Sequence, residues 1–297
     1  MDHPTFTSSL AGRCKLDRLG RSWDLVCQSF TVLRSDKELL FLPIVSAGFS
    51  LSFSAIILGI SALIYRPEIL TLLATRPARP QLPQGMYACL FIFYLMNYLI
   101  VIFFNVVLVS IASDRLRGGH ATLNDGLQIA WQRKGRIFQW AFLAATVGIL
   151  LKALEDRLGW LGRMIVGWIG VAWSLATYFV APILAAEDIG PMEALYRSAG
   201  IFRETWGEEL VGGFSFGLIF FFLAIPGIVL VFGAATLGKP AAIGGVLLAV
   251  IYWLLLSVVS AAVQGVFTAA LFQYATTKEV PAGFNRQDFR DAWHPKN

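Results

Sequence analysis

Charge is what this chain lacks. Lys, Arg, Asp and Glu make up 14% of its 297 residues, against about a quarter in a soluble globular protein. The shortage is concentrated: no charged residue occurs in 39–65, 80–113, 137–151, 164–186, 210–238 or 240–277. A soluble single-core protein would scatter charge over its outer faces, so that class is excluded. A membrane β-barrel would alternate polar and apolar residues over segments of about ten, and these runs do not alternate. Cysteine is scarce as well. Cys14, Cys27 and Cys89 form no C-x-x-C pair, which removes a disulfide framework, a thiolate zinc centre and a dithiol redox motif. The three histidines, His3, His120 and His294, lie outside the uncharged runs without ligand spacing. H-E-x-x-H, G-x-S-x-G, P-loop and dinucleotide fingerprints are missing. No catalytic, cofactor-binding or metal residue is assigned, and no cofactor is expected.

What the chain does have is apolar length. Its mean hydropathy is +0.65. A helix needs about 20 apolar residues to cross the hydrocarbon core, and five of the six uncharged runs reach that length. The third reaches Leu154 if Lys152 extends its ammonium to the interface. The expectation is an all-α polytopic membrane protein with six transmembrane helices, near 39–65, 87–112, 137–154, 164–186, 210–236 and 243–274. Residues 1–20 read as a flexible cytoplasmic N-terminus, 21–277 as a single six-span membrane domain, and 278–297 as a cytoplasmic tail. Residues 1–38 hold six Lys and Arg without the apolar core of a cleavable signal, so the first span is expected to direct insertion itself.

Basic residues set the expected orientation. The N-terminus, the loops after spans two and four, and the C-terminus together carry 17 Lys and Arg, and the alternate loops carry seven. That asymmetry places both termini in the cytoplasm of a cell whose plasma or inner membrane holds the protein. It also accounts for the net charge of +5 without nucleic acid as a partner.

Between spans four and five lies "AAEDIGPMEALYRSAGIFRETWGEEL". Gly190 can cap a helix with Pro191 at its first position, and Glu193 then meets the positive end of the helix dipole. Met192, Leu195, Ala199 and Phe202 recur at steps of three and four as an apolar stripe, with Glu193 and Arg197 four apart on a polar face. The segment reads as an amphipathic helix in the cytoplasmic interface. A similar stripe of Trp23, Val26, Phe30 and Leu33 precedes span one. Ser35 with Glu38, and Thr205 with Glu208, each read as a capping box that starts a new helix just before an apolar run, an elbow between surface helix and span. A weaker copy, "TLNDGLQIAWQRKGRIF", precedes span three. In register, Asp24, Asp125 and Glu193 coincide, and Ser29 coincides with Ser198. The expectation is about three cytoplasmic interfacial helices and three helix-plus-hairpin repeats, near 21–112, 119–187 and 189–277.

The elements "RSWDLVCQSFTVLRSDKELLFLPIVS" and "AAEDIGPMEALYRSAGIFRETWGEEL" resemble an uncharacterised prokaryotic family of six-span integral membrane proteins, a domain of unknown function. The resemblance covers roughly 20–280 and rests on S-W-x-L…L-R-x-D-K-E-L-L and E-D-x-G-P-x-E-A-L. It implies the six-span architecture and carries no activity with it.

Inside the spans, small residues repeat every four positions at Ser257, Ala261, Gly265 and Ala269, and at Gly213 and Gly217, a spacing that lets helices approach closely. Pro226 interrupts span five. The candidate polar interior is on span two: Tyr94, Asn97 and Asn105, with Asn97 ten residues, about 15 Å, into a span that starts at Tyr87. An amide facing lipid would leave its groups unpaired, so this side is expected to face the bundle, joining helices or lining a cavity. The acidic pairs Glu155–Asp156, Glu187–Asp188 and Glu208–Glu209 lie at span ends, where solvated loop charge is the plain reading. The function read from these features is a non-enzymatic scaffold or accessory factor. The alternatives are a facilitator or channel for a small or lipid-like solute, and a membrane-embedded enzyme. The expected partners are the lipid bilayer and a membrane protein or a second copy of the chain.

Overall fold

A computed structural model describes residues 29–30, 37–75, 83–206 and 215–281. Among them every regular element is a helix: α1 Lys37–Ile64, α2 Arg66–Thr75, α3 Gln84–Leu116, α4 Leu123–Gln132, α5 Lys134–Arg157, α6 Gly159–Ala176, α7 Val180–Ala186, α8 Pro191–Trp206, α9 Ser215–Ala235 and α10 Lys239–Thr277. Trp23, Val26, Leu33, Ser35 and Glu208 lie outside the described residues, as do 1–20 and 282–297.

Five segments are long and apolar enough to cross a membrane: Glu38–Ile64, Gln84–Leu116, Lys134–Glu155, Gly162–Ala186 and Lys239–Thr277. The run expected as span five is the helix α9 Ser215–Ala235; among the residues described in full, its stretch Phe220–Ala235 is shorter than a membrane span. The run expected as span four is broken at Thr177–Phe179 into α6 and α7. The short helix α2 in the loop after span one was not anticipated.

Burial is uneven along these helices. In α3 the run Val106–Ala112 is buried, and in α10 almost all of Ala262–Tyr274 is. In α5 the buried residues are Ile137, Trp140, Ala141, Ala144 and Ala145, and in α1 Leu39 and Leu42. Most lie toward the end that joins an expected cytoplasmic segment, while Ser61, Leu95 and Ala249 are buried nearer the other ends. The opposite ends carry exposed Leu63, Ile64, Tyr87, Leu150, Phe232 and Leu247. Water would penalise such continuous apolar exposure, whereas hydrocarbon is its natural solvent.

The described chain divides into two compact units. In the unit of Phe41–Ile111 and Ala121–Gly200, α1 and α3 run antiparallel. Phe49 stacks on Phe104 at 5.8 Å, Ser54 meets Asn97, and the Tyr65 phenol lies where a Cβ on Gly85 would be. The helices α5 and α6 reverse at Leu158. They are joined by Trp140 and Trp173, whose rings are parallel within 3° at 6.1 Å.

The other unit holds Ala112–His120 and the chain from Ile201 onward, with the segment up to Leu40. Its end of α3 closes by reversal at Gly118, φ +85°. Gly119 N–H donates to Asp114 C=O and Gly118 N–H to Arg115 C=O, which satisfies two orphan carbonyls of the last turn. Arg115 also pairs with Glu38 at 3.2 Å. Glu38 was expected in a capping box with Ser35. Here its carboxylate, in the first turn of α1, is engaged by Arg115.

In the same unit α9 and α10 form a tight antiparallel hairpin turning at Gly238, φ +104°, with Pro240 in the first turn of α10. Their close approach falls where Gly245 lies on Ala234 and the Leu230 carbonyl. The stripe expected to pack, Ser257 to Ala269, is split: Ser257 and Ala261 are exposed, while Gly265 and Ala269 are buried. Pro226 supplies no N–H to the turn before it and crowds the carbonyls there. Two α10 side chains donate into that turn: the Tyr252 hydroxyl to Leu223 C=O, and the Trp253 indole N–H to Ala224 C=O at 3.1 Å. Gly227 makes room for the Trp253 ring, which a Cβ there would strike. In an apolar medium these donors replace water that the carbonyls cannot reach.

Trp253→Phe is therefore expected to destabilise the folded protein by about 0.6–2 kcal/mol, and Gly227→Ala by about 1–3 kcal/mol through overpacking. Thermal unfolding of the full chain in detergent reads both. An unchanged midpoint for both variants would dissociate the hairpin's stability from this contact.

Candidate functional site: surface helices and an arginine-clamped connector

The helix α4 begins at Thr122. Asp125 N–H donates to Thr122 Oγ1 at 3.4 Å, and Thr122 N–H donates to the Asp125 carboxylate at 2.8 Å. This reciprocal box satisfies two orphan donors. The T-x-x-D spacing of this box is legible in the sequence. Those donations hold the Asp125 carboxyl below its ordinary value of 3.8, first through the Thr122 backbone N–H and then through its hydroxyl. Gly126 and Ala130 are buried on one side of α4. A Cβ on Gly126 would stand 2.6 Å from Ile111 Cγ1 of α3, so glycine permits the helices to touch. One residue further on, Leu127 and Trp131 are exposed.

The helix α8 repeats this arrangement. It starts at Pro191, with Ala194 N–H donating to Gly190 C=O at 2.9 Å. Ala194 and Ser198, four apart, are fully buried. The stripe expected to pack was Met192, Leu195, Ala199 and Phe202. Met192 is exposed, and Leu195, Ala199 and Phe202 are only half-buried. At 3.6 residues per turn, Leu195 and Ala199 lie about 100° round the helix from Ala194 and Ser198. Close packing selects the small side chains, and the large ones flank the contact. Ser198 adds a specific function there. Its hydroxyl accepts from the Phe179 N–H at 3.0 Å, a donor at the break between α6 and α7. Thr205 lies in the last turn of α8, ahead of the segment it was expected to cap. From the first stripe only Phe30 is described; it is exposed, and its neighbour Ser29 is fully buried.

Three arginines hold the connector between α7 and α8, each on a successive residue. The Arg133 guanidinium donates to Ala186 C=O at 3.2 Å. Arg197 pairs with Glu187 at 2.7 Å, and Arg136 with Asp188 at 3.1 Å. Arg197 thus reaches Glu187, whose side chain is 29% exposed, instead of the exposed Glu193 one turn away. Each carboxylate of the Glu187–Asp188 pair has its own guanidinium. Exposed ion pairs contribute about 0–1 kcal/mol each, so the clamp sets geometry more than stability. Among the described residues no group of three or more His, Cys, Asp and Glu could hold a metal ion.

The polar residues of span two are not brought together. Asn97 is half-buried; its Oδ1 accepts from Ser54 Oγ at 3.2 Å and its Nδ2 donates to Phe93 C=O at 2.9 Å. Tyr94 is 58% exposed, and Asn105 is exposed too. On a helix Tyr94 lies about 60° from Asn97 and Asn105 about 80° from it in the same direction, so the three share one side. Among the described residues α1 bonds to that side only at Asn97, its edge, and leaves Tyr94 and Asn105 exposed.

Two measurements check this geometry. Ser198→Val should cost about 1–3 kcal/mol, because it removes the hydroxyl that accepts from the buried Phe179 N–H, while Tyr196→Ser on the exposed side should shift the midpoint little. The Asp125 carboxyl is lowered on folding, so its contribution is present above 3.8 and is lost as pH falls through the lower folded-state value. Asp125→Ala should accordingly flatten the acid limb of the unfolding midpoint below pH 4 or so; an acid limb identical to wild type would remove the box from the account.

Among curated proteins and among solved structures nothing matches the chain. A family model does match, over residues 84–283. That stretch includes the G-P-x-E-A-L element and the connector, and it leaves the element before α1 outside. Covering two thirds of the chain, the match means that this protein belongs to DUF6159, a family of unknown function.

Proposed function

We propose that the chain is a six-span protein of the cell membrane with both termini in the cytoplasm, acting as a non-enzymatic scaffold or accessory factor. The observation that carries this reading is the shared construction of α4 and α8. Each turns small residues inward, Gly126 and Ala130 or Ala194 and Ser198, and leaves large ones outward, Leu127 and Trp131 or Met192 and Tyr196. Helices clamped in this way offer a fixed surface to lipid or to a partner. A sixth span is supported by the 21 residues of α9, about 31 Å of helix, and by its pairing with α10. The repeat is supported by Ser29, Ala130 and Ser198, equivalent positions that are each fully buried. The hairpins α1/α3, α5/α6 and α9/α10, each following one of these segments, support it as well. A facilitator is the second reading, favoured by Ser54 and Asn97 meeting inside a span, with the Ser50 hydroxyl buried one turn away without a protein partner.

Cysteine placed at Arg76 or Lys239 should react with an impermeant thiol reagent from outside the cell, and cysteine at Arg117 or Lys278 only after permeabilisation. The reverse pattern would invert the orientation. A photoreactive side chain at Tyr196 should yield discrete adducts in native membranes, while liposomes holding the purified chain leak small solutes no faster than empty ones. Accelerated leak would replace the scaffold with the facilitator.

A further inference from the structure

We propose that the elbow between α4 and α5 binds the headgroup of an anionic phospholipid, with the Lys134 ammonium as the charged contact and Trp131 as its platform. The proposal rests on the membrane reading above and names a ligand class for one of the surface helices. The Lys134 ammonium stands over the Trp131 ring, 4.5 Å from its centroid. A cation on an aromatic face is oriented by the ring quadrupole yet keeps its full charge, whereas a cation in an ion pair is neutralised. Of the neighbouring guanidiniums, Arg136 is paired with Asp188, and Arg133 is half-buried and turned onto Ala186 C=O. Among the described residues no carboxylate pairs with Lys134. The one acid on α4, Asp125, is held in the box with Thr122 at the far end of the helix. Among the described residues Lys134 is thus a cation held on a ring with no carboxylate beside it.

Its position identifies what supplies it. Lys134 is the first residue of a membrane-length segment, Lys134–Glu155. Exposed apolar side chains continue on both sides of it, Leu127 and Trp131 on α4, Phe138 and Phe142 on α5. Trp131 is 63% exposed, and indole prefers the headgroup level of a bilayer. An acyl chain along Phe138 and Phe142 with its phosphate at Lys134 matches both the apolar and the charged parts of this surface. A zwitterionic headgroup carries no net charge to complement the ammonium. A soluble acidic peptide would leave the phenylalanines uncovered.

The test is lipid binding by the purified full chain, read by native mass spectrometry after release from nanodiscs made with equal phosphatidylglycerol and phosphatidylcholine. Wild type should retain phosphatidylglycerol preferentially. Lys134→Gln should reduce that preference about fivefold, the effect of one basic residue at a membrane surface. Lys134→Arg should keep it, and so should Lys152→Gln, which removes a lysine near the other end of α5. Equal retention of the two lipids by wild type, an undiminished preference in Lys134→Gln, or an equal loss in Lys152→Gln would each overturn the proposal. Failure of the wild-type chain to enter nanodiscs of either lipid would instead reject the membrane reading on which it rests.

Discussion

A polypeptide in hydrocarbon must find a partner for every backbone N–H and C=O within itself. Regular helix meets that demand, and the informative places are where the helix is interrupted. At Pro226 a turn of α9 loses a donor, and Tyr252 and Trp253 of α10 donate into it. At Thr177–Phe179 the membrane helix breaks, and Ser198 of α8 accepts the Phe179 N–H. In each case a side chain from another helix bonds to the backbone beside the interruption. An interruption therefore also decides which helices must touch, and it ties the surface helix α8 to the segment it follows.

Small side chains do the rest of the joining. Lipid is as apolar as leucine, so helices gain little by burying large apolar residues against each other and more by approaching closely. Gly126 on Ile111, Gly245 on Ala234 and Gly227 beside Trp253 are such approaches. The large residues are left for the surface, where they face either hydrocarbon or the interface. Trp131 and Tyr196 are exposed on helices that otherwise pack by their small residues. The arginines on Ala186, Glu187 and Asp188 keep the connector in one path.

The membrane class, the all-α architecture and the approximate bounds of the apolar helices follow from uncharged length alone, because hydrocarbon excludes charge whatever the packing. The start of α8 at Pro191 follows from local chemistry in the same way, since a proline without N–H and a preceding glycine suit the first turn of any helix. The facing of α8 does not follow. Its apolar stripe indicates a face, but which side meets protein depends on how closely a neighbour can approach, and Ala194 and Ser198 carry no hydropathy signal. Tyr94, Asn97 and Asn105 share one side of α3 within an arc of about 80°, yet among the described residues only Asn97, at the edge of that arc, is bonded to another helix, through Ser54 of α1. Partner choice among charges was equally non-local. Arg197 had Glu193 in sequence and took Glu187 in space, and Glu38 is met by Arg115, 77 positions away. What the chain determined by itself was its solvent, because that depends on each residue's own transfer energy. What the tertiary structure alone decided was which groups complete one another, because a hydrogen bond or a close approach exists only when two distant segments reach the same place.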